Sequence, residues 1–305
     1  VEDFIEIASN SQSLTKHYAV STTLDFNGVN LTTFGVLRGS IKGIGDTAGF
    51  VNLNIKTPTT IGDTSYLGLF AYIEEGAYIE NLTITGKLGY NLSTNSNAIS
   101  AKYVGLVCGQ NKGTLKNLSV TLLNDYTNKN EGVNVNLDEN VFVGVLAGAS
   151  SGNIINDNSK NLISIKDEFY VKNSFSASDE FGTYVGGVVG YNNGNINLLK
   201  NENEEINVTG EKDFTLIGNI SGQDVKTIGG VTGVNVGMID GVKVSGNVKI
   251  IVSANSLSEN AGGITGLNAF SVNNENLKGT IQNCLIRTFV TAGNYVGAVA
   301  GKNTY

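Results

Sequence analysis

The chain has 305 residues, of which 40% are hydrophobic and 39 are glycine, and a formal net charge of −7. That acidic balance excludes nucleic acid as a partner, because phosphates call for a clustered Lys/Arg surface. No apolar run approaches the length of a bilayer-spanning helix, which excludes membrane insertion by that route.

In chain order, VEDFIEIAS (1–9) reads as a short amphipathic helix, with Phe4, Ile5 and Ile7 placed to cover the open end of a core. HYAVSTTLDFNG (17–28) reads as a first strand and its turn. Residues 1–65 are therefore expected to be a cap and lead-in. From residue 66 the chain repeats itself. YLGLFAYIEEGAYIENLTITG begins at 66, YVGLVCGQNKGTLKNLSVT at 103, FVGVLAGASSGNIIND at 142 and YVGGVVGYNNGNINLLKN at 184. IGGVTGVNVGMIDGVKVSG follows from 228, AGGITGLNAF from 261, and YVGAVAGKNTY runs from 295 to the last residue. One glycine marks each copy: Gly68, Gly105, Gly144, Gly186, Gly229, Gly262 and Gly297, at spacings of 37, 39, 42, 43, 33 and 35.

Each copy has two halves. An apolar strand closes on Gly-x-Asn, and a Gly-x-(Ile/Leu) half leads into a second short Val/Ile strand. Two or three short strands per copy are expected. Between copies lie polar segments of unequal length, such as 124–140, 167–182 and 200–226. A fixed centre with variable linkers is how stacked repeats behave, because insertions collect in loops while the stacked strands are held. Gly, Asn and β-branched residues are too frequent for helices. A propeller blade would need four hairpin-connected strands. The expectation is an all-β chain, a right-handed parallel β-helix of about seven repeats with a short N-terminal capping helix, continuous as one domain over 1–65 and 66–305. Glycine then fits corners that need positive φ or close backbone approach. Asn111, Asn192, Asn235, Asn268 and Asn303 follow the second glycine of their copies at one offset, and are expected to stack as a structural ladder along one edge. Ser150 stands where the third copy should carry asparagine, and Ala71 replaces a glycine in the first.

YVGGVVGYNNGNI and its sister copies resemble the GLUG repeats of bacterial secreted and cell-surface proteins, and the lead-in YAVSTTLDFNGVN (18–30) resembles the segment that precedes such arrays. The resemblance covers nearly the whole chain. It implies a β-solenoid at the bacterial surface or secreted, as in adhesins and in the non-catalytic parts of immunoglobulin A-degrading metallopeptidases.

Chemistry is sparse. The single histidine, His17, cannot build a His-Glu-x-x-His zinc site, so no catalytic, cofactor or metal residue is assigned. His17 reads as an ordinary residue beside the cap. Cys108 and Cys284 lie four copies apart, about 19 Å at one coil each, too far for a disulfide, and read as buried inert thiols. Lyase chemistry on a β-helix wants a strong base facing carboxylates that hold calcium. Here the two arginines, Arg38 and Arg287, sit near opposite ends of the chain. The acidic pairs Glu74–Glu75, Asp138–Glu139, Asp167–Glu168, Asp179–Glu180 and Glu204–Glu205 are expected in loops or turns as solvated rims. No cofactor is expected, although structural calcium in such a loop is the alternative. Tyr90, Tyr103, Tyr126, Tyr170, Tyr184 and Tyr295 read as exposed. Tyr66, Tyr103, Tyr184 and Tyr295 share one place in the repeat and form a packing ladder. Tyr126 and Tyr170, assigned to variable loops, are the ligand-contact candidates.

The function expected is a non-catalytic rigid spacer and adhesive surface of a bacterial extracellular protein, meeting a host or neighbouring-cell protein or glycan through its long loops. Two alternatives stand beside it: an accessory substrate-recognition region of a secreted metallopeptidase, and a polysaccharide lyase or glycan hydrolase. YVGAVAGKNTY lacks the second half of its copy, so further domains or copies are expected beyond Tyr305.

Overall fold

The computed structural model describes residues 1–91, 98–125, 130–156, 162–174, 181–197, 215–253, 260–271, 274–292 and 294–304. Among them the chain is mostly β, with one α-helix, Glu2–Ser9, and one 3-10 turn, Ser13–Thr15. Four sheets carry nearly all the strands. Sheet I runs from His17–Val20 through Ser40–Gly43 and Tyr78–Glu80 to Thr280–Gln282. Sheet II runs from Thr23–Asp25 to Leu285–Thr291, sheet III from Thr59–Ile61 to Tyr295–Gly297, and sheet IV from Phe34–Leu37 to Ala300–Asn303. Pairing along these sheets is parallel; the antiparallel exceptions are Thr59–Ile61 with Thr64–Leu67, Tyr90–Asn91 with Glu131–Val135, and Phe270–Ser271 with Asn274–Lys278.

The first pass lacks a sheet III strand and the second supplies two, Thr59–Ile61 and Thr64–Leu67; thereafter the chain visits the sheets in the order III, IV, I, II and begins again one strand further along each. A full pass thus holds four strands, where two or three were expected. The fourth appears because the apolar segment of each copy breaks in two: Thr183–Gly186 belongs to sheet III and Val189–Asn192 to sheet IV. Similarly HYAVSTTLDFNG divides into two strands, His17–Val20 and Thr23–Asp25.

Alternation of burial is clear in strands such as Thr83–Leu88 and Ser119–Leu122, and each sheet places an apolar column inside. In sheet I the column is Ile41, Ile79, Leu115, Ile154, Ile196 and Ile239, all buried and paired in register. In sheet III, Leu67, Val104, Val143, Val185, Ile228 and Ala261 do the same. Each buried valine, leucine or isoleucine in these columns contributes roughly 1.5–3 kcal/mol of burial. At the N-terminal end Phe4 of the helix meets Phe26, Phe34 and Phe50, at ring separations of 5.8, 5.9 and 4.8 Å.

The turns between sheets have separate chemistries. Between III and IV, a Cβ on Gly186 would overlap the carbonyl oxygen of Val189, and Gly229, Gly262 and Gly297 meet the carbonyl three residues on in the same way. The repeat glycine is thus required for close approach, and none of the seven has positive φ. Between I and II the backbone does turn left-handed, and asparagine serves there: Asn81, Asn117 and Asn283 have φ of 58, 53 and 51°, and Gly241 takes the equivalent place at 69°. Asparagine tolerates this conformation better than other residues with a Cβ.

Parts of the expected loops are strands. Leu162–Asn173 and Thr215–Gln223 are long members of sheet II, so 167–173 and 215–223 are not linker, and Glu131–Val135 interrupts 124–140. Some of their polar residues, such as Lys166, face outward, whereas Asn134, Asn173 and Ser221 are buried.

Candidate functional site

The turn from sheet IV to sheet I is lined by amides. Asn111, Ser150, Asn192, Asn235, Asn268 and Asn303 lie in one register column, preceded by Ile73. Asn192 Nδ2 donates to Asn235 Oδ1 at 2.8 Å, Asn235 to Asn268 at 2.9 Å, and Asn268 to Asn303 at 3.1 Å. The second hydrogen of each amide reaches a backbone carbonyl: Met238 for Asn192, Thr280 for Asn235 and Gly279 for Asn268. Asn111, Asn192 and Asn235 are fully buried. Asn111 donates to Ser150 Oγ at 3.1 Å, while its own Oδ1 has no hydrogen-bond partner. The residue before it in the column is Ile73, which has nothing to donate.

Sheet III carries the aromatic column. Tyr66 stacks on Tyr103 at 5.5 Å, Tyr103 on Phe142 at 5.6 Å, and Phe142 on Tyr184 at 5.3 Å, with planes 16–19° apart. Burial raises the phenol pKa of Tyr103 and Tyr184, and both are half-buried, not exposed as expected. Thr227 and Asn260 then occupy the column, so Tyr295 stands apart from the stack and is 52% exposed. Phe142 belongs to the column although the sequence reading followed tyrosines alone; its place in FVGVLAG, aligned with YVGLVCG, was the available signal.

Of the two ligand-contact candidates, Tyr126 lies outside the described residues. Tyr170 sits in the strand Leu162–Asn173, not in a loop, and its hydroxyl donates to Gln223 Oε1 at 2.8 Å. A half-buried, strand-held phenol tied to its neighbour is a weak anchor for a partner. The side chain of Tyr90 lies outside the described residues.

Four carboxylates form ion pairs that join neighbouring passes. Glu74 pairs with Arg38 at 3.1 Å, Glu80 with Lys42 at 3.6 Å, Glu131 with Lys87 at 2.8 Å and Glu139 with Lys102 at 2.7 Å. Asp167 and Glu168 lie within a strand instead of a loop, and Asp179, Glu180, Glu204 and Glu205 lie outside the described residues. Among the described residues no three His, Cys, Asp or Glu side chains gather to hold a metal ion. His17 Nδ1 and Ser40 Oγ are 2.7 Å apart, but Ser40 is buried at 2% exposure and out of reach of a substrate. Cys108 and Cys284 are both free thiols; Cys108 is buried, whereas Cys284 is only partly so. Burial pushes the Cys108 thiol far above its ordinary range.

No family model, no curated protein and no solved structure matches the chain.

Proposed function

We propose that the four parallel sheets are the sides of one continuous β-helix of the GLUG-repeat kind, and that it serves a bacterial surface or secreted protein as a non-catalytic rigid spacer and interaction surface. The observation that carries the reading is strand order. From Tyr103 onward every pass adds one strand to each of the four sheets in the same sequence, with the repeat glycine and a buried aliphatic residue in register and asparagine at most of the corners. Nearest-neighbour stacking of that kind makes a stiff scaffold whose variable segments sit outside it. Right-handedness follows from the general preference of parallel crossover connections. Residues 1–65 are the cap and lead-in of the same unit as 66–305.

The absence of catalysis is supported by how the charged groups are used. Arg38 is held by Glu74 in the first turns of the chain, and Arg287 lies on the exposed side of Leu285–Thr291 at the other end. Among the described residues no cluster of three carboxylates that could hold a metal ion stands opposite either one. The extracellular, bacterial setting and the partner, a protein or glycan of a host or neighbouring cell, rest on the resemblance of YVGGVVGYNNGNI to the GLUG pattern.

The test is to incubate the purified chain with polyuronates, mucin glycans and immunoglobulins while assaying retention and cleavage together. Retention without cleavage is the expected result. Cleavage that disappears in Arg287→Ala overturns the non-catalytic reading, and retention by no surface removes the adhesive role.

A further inference from the structure

Sheet IV carries a column in which Tyr72, Gln110, Ala149, Tyr191 and Val234 follow one another in register, with the two tyrosines and the glutamine half-exposed and Ala149 and Val234 buried. Ala149 is the small member, between a glutamine and a tyrosine. Its size leaves a cleft of about 310 Å³. The rings of Tyr103 and Phe142 wall it from sheet III, and the ring of Tyr191 closes it from the next pass. Phe142 and Tyr191 meet at 5.3 Å with their planes 59° apart, which angles the two rings around the opening. The remaining lining is polar and uncharged: Gln110, Ser150, Ser151 and Asn193.

Asn193 supplies a second, independent observation. Its side-chain Oδ1 is buried and has no hydrogen-bond partner. Its backbone N–H donates to the carbonyl of Ser150 at 2.7 Å, which anchors the main chain at this point. The residue as a whole is only partly buried, so a turn of its side chain would offer this unpaired acceptor to a ligand hydroxyl at the wall of the cleft.

We infer that this cleft is a subsite for one neutral pyranose ring. A sugar presents apolar C–H faces that need aromatic surface, and hydroxyls that need donors and acceptors at its rim. The cleft supplies three rings, two primary amides and two serines. With no charged side chain in its lining, it gives a uronate carboxylate or an amino group nothing to pair with. Its volume sits at the low end of the ~300–1,000 Å³ usual for small-molecule sites, which suits a single ring. The inference rests on the reading of the chain as an interaction surface and supplies a ligand class for it.

The experiment titrates the full chain with methyl β-glucoside, methyl β-galactoside and methyl α-mannoside, with glucuronate as the charged counterpart. Binding is followed by NMR through the Asn193 side-chain amide and the Tyr191 ring protons. Ala149→Tyr fills the cleft with the side chain that Tyr72 and Tyr191 already place in this column, and the dispersion of its NMR spectrum checks that the fold is kept. Asn193→Ala removes the acceptor. At least one neutral glycoside is expected to bind, about tenfold more weakly in Asn193→Ala and below detection in Ala149→Tyr. Three results overturn the subsite: no neutral glycoside bound, unchanged binding in Ala149→Tyr, or glucuronate bound as tightly. Retention of the wild-type chain on a mucin or immunoglobulin surface without glycoside binding removes the subsite and leaves the interaction surface. Glycoside binding at the cleft without retention on any surface does the reverse.

Discussion

Asn192 donates its side-chain amide to the side-chain oxygen of Asn235, 2.8 Å away, and both residues are fully buried. The bond joins residues 43 positions apart in sequence at the same corner of consecutive passes. The same Asn192 also donates to the carbonyl of Met238 and accepts from the N–H of Gly194. Three backbone or side-chain groups therefore depend on one amide. Replacing Asn192 by alanine strands all three in a buried setting, at a cost of about 1–3 kcal/mol. Urea denaturation of the two proteins checks it, and an unchanged midpoint would show that the ladder is ornamental.

Ser150 is the break in that ladder. It accepts from Asn111 at 3.1 Å, yet its hydroxyl is too short to imitate an amide that both accepts and donates along the column. Ser150→Asn is expected to stabilise the chain by about 0.5–1.5 kcal/mol, the net worth of an added internal hydrogen bond. The neighbours Asn111 and Asn192 occupy the same register, so the corner has the shape for it. A lower midpoint in this variant would mean that the cleft beside Ala149 is disturbed by the larger side chain.

Two glycines distinguish steric from conformational need. Gly45 has φ of +82° and open space around its missing Cβ, whereas Gly186 has no positive φ but would collide with the carbonyl of Val189. Asparagine tolerates the left-handed region and relieves no collision. Gly45→Asn is therefore expected within about 1 kcal/mol of wild type, and Gly186→Asn to cost roughly 1–3 kcal/mol or more by overpacking. Thermal melts of the pair decide between the two mechanisms.

Cys108 gives the chain an alkaline limit. Its thiol, ordinarily at 9.0, titrates well above that in the folded state because burial penalises the thiolate. A pKa raised by folding contributes stability that is complete below the unfolded value and fades as pH climbs past it. Stability should hold up to about pH 9 and fall beyond. Burial also raises Tyr103, Tyr184 and Tyr191, so these phenols extend the decline above pH 10. Cys108→Ala, matching Ala147 in register, should flatten the first part of the decline. Denaturation midpoints at pH 8 and 9.5 measure it, and equal slopes in both proteins would remove the thiol as the cause.

The sequence made the register columns legible because each is locked by one residue type at one offset. Gly186 and Asn192 recur for steric and hydrogen-bonding reasons that admit few substitutes. The division of the apolar segment into two strands was hidden, since the bend at Gly187 and Val188 lies inside an unbroken Val/Gly run with no polar punctuation. Residues 167–173, the second half of the strand Leu162–Asn173, were mistaken for linker because the charges of Asp167, Glu168 and Lys172 outweighed the alternation that buries Phe169 and Val171. That error put Tyr170 in a loop. The cleft at Ala149 was illegible for another reason: it is an absence of bulk, visible only once Tyr103, Phe142 and Tyr191 from two sheets are brought around it.

The N-terminal helix is the last test, because it probes how stability is shared between passes. Phe4 is half-buried, and it rests on Phe26 and Phe50, which are fully buried. The helix itself gains a little from Glu2 and Asp3 in its first turn, near the positive end of the backbone dipole. An eight-residue helix is too short to persist alone, so its place is secured by the phenylalanine cluster. Phe4→Ala removes the ring contacts and opens the end of the core, at a cost of about 1–3 kcal/mol. If each pass is held by its neighbours, the loss stays local. Amide exchange should quicken in His17–Val20, Thr23–Asp25 and Gly49–Thr57 while Val189–Asn192 and Thr232–Asn235 keep their protection. Uniformly faster exchange along the whole chain would instead show a single cooperative unit, and with it that the helix guards every pass at once.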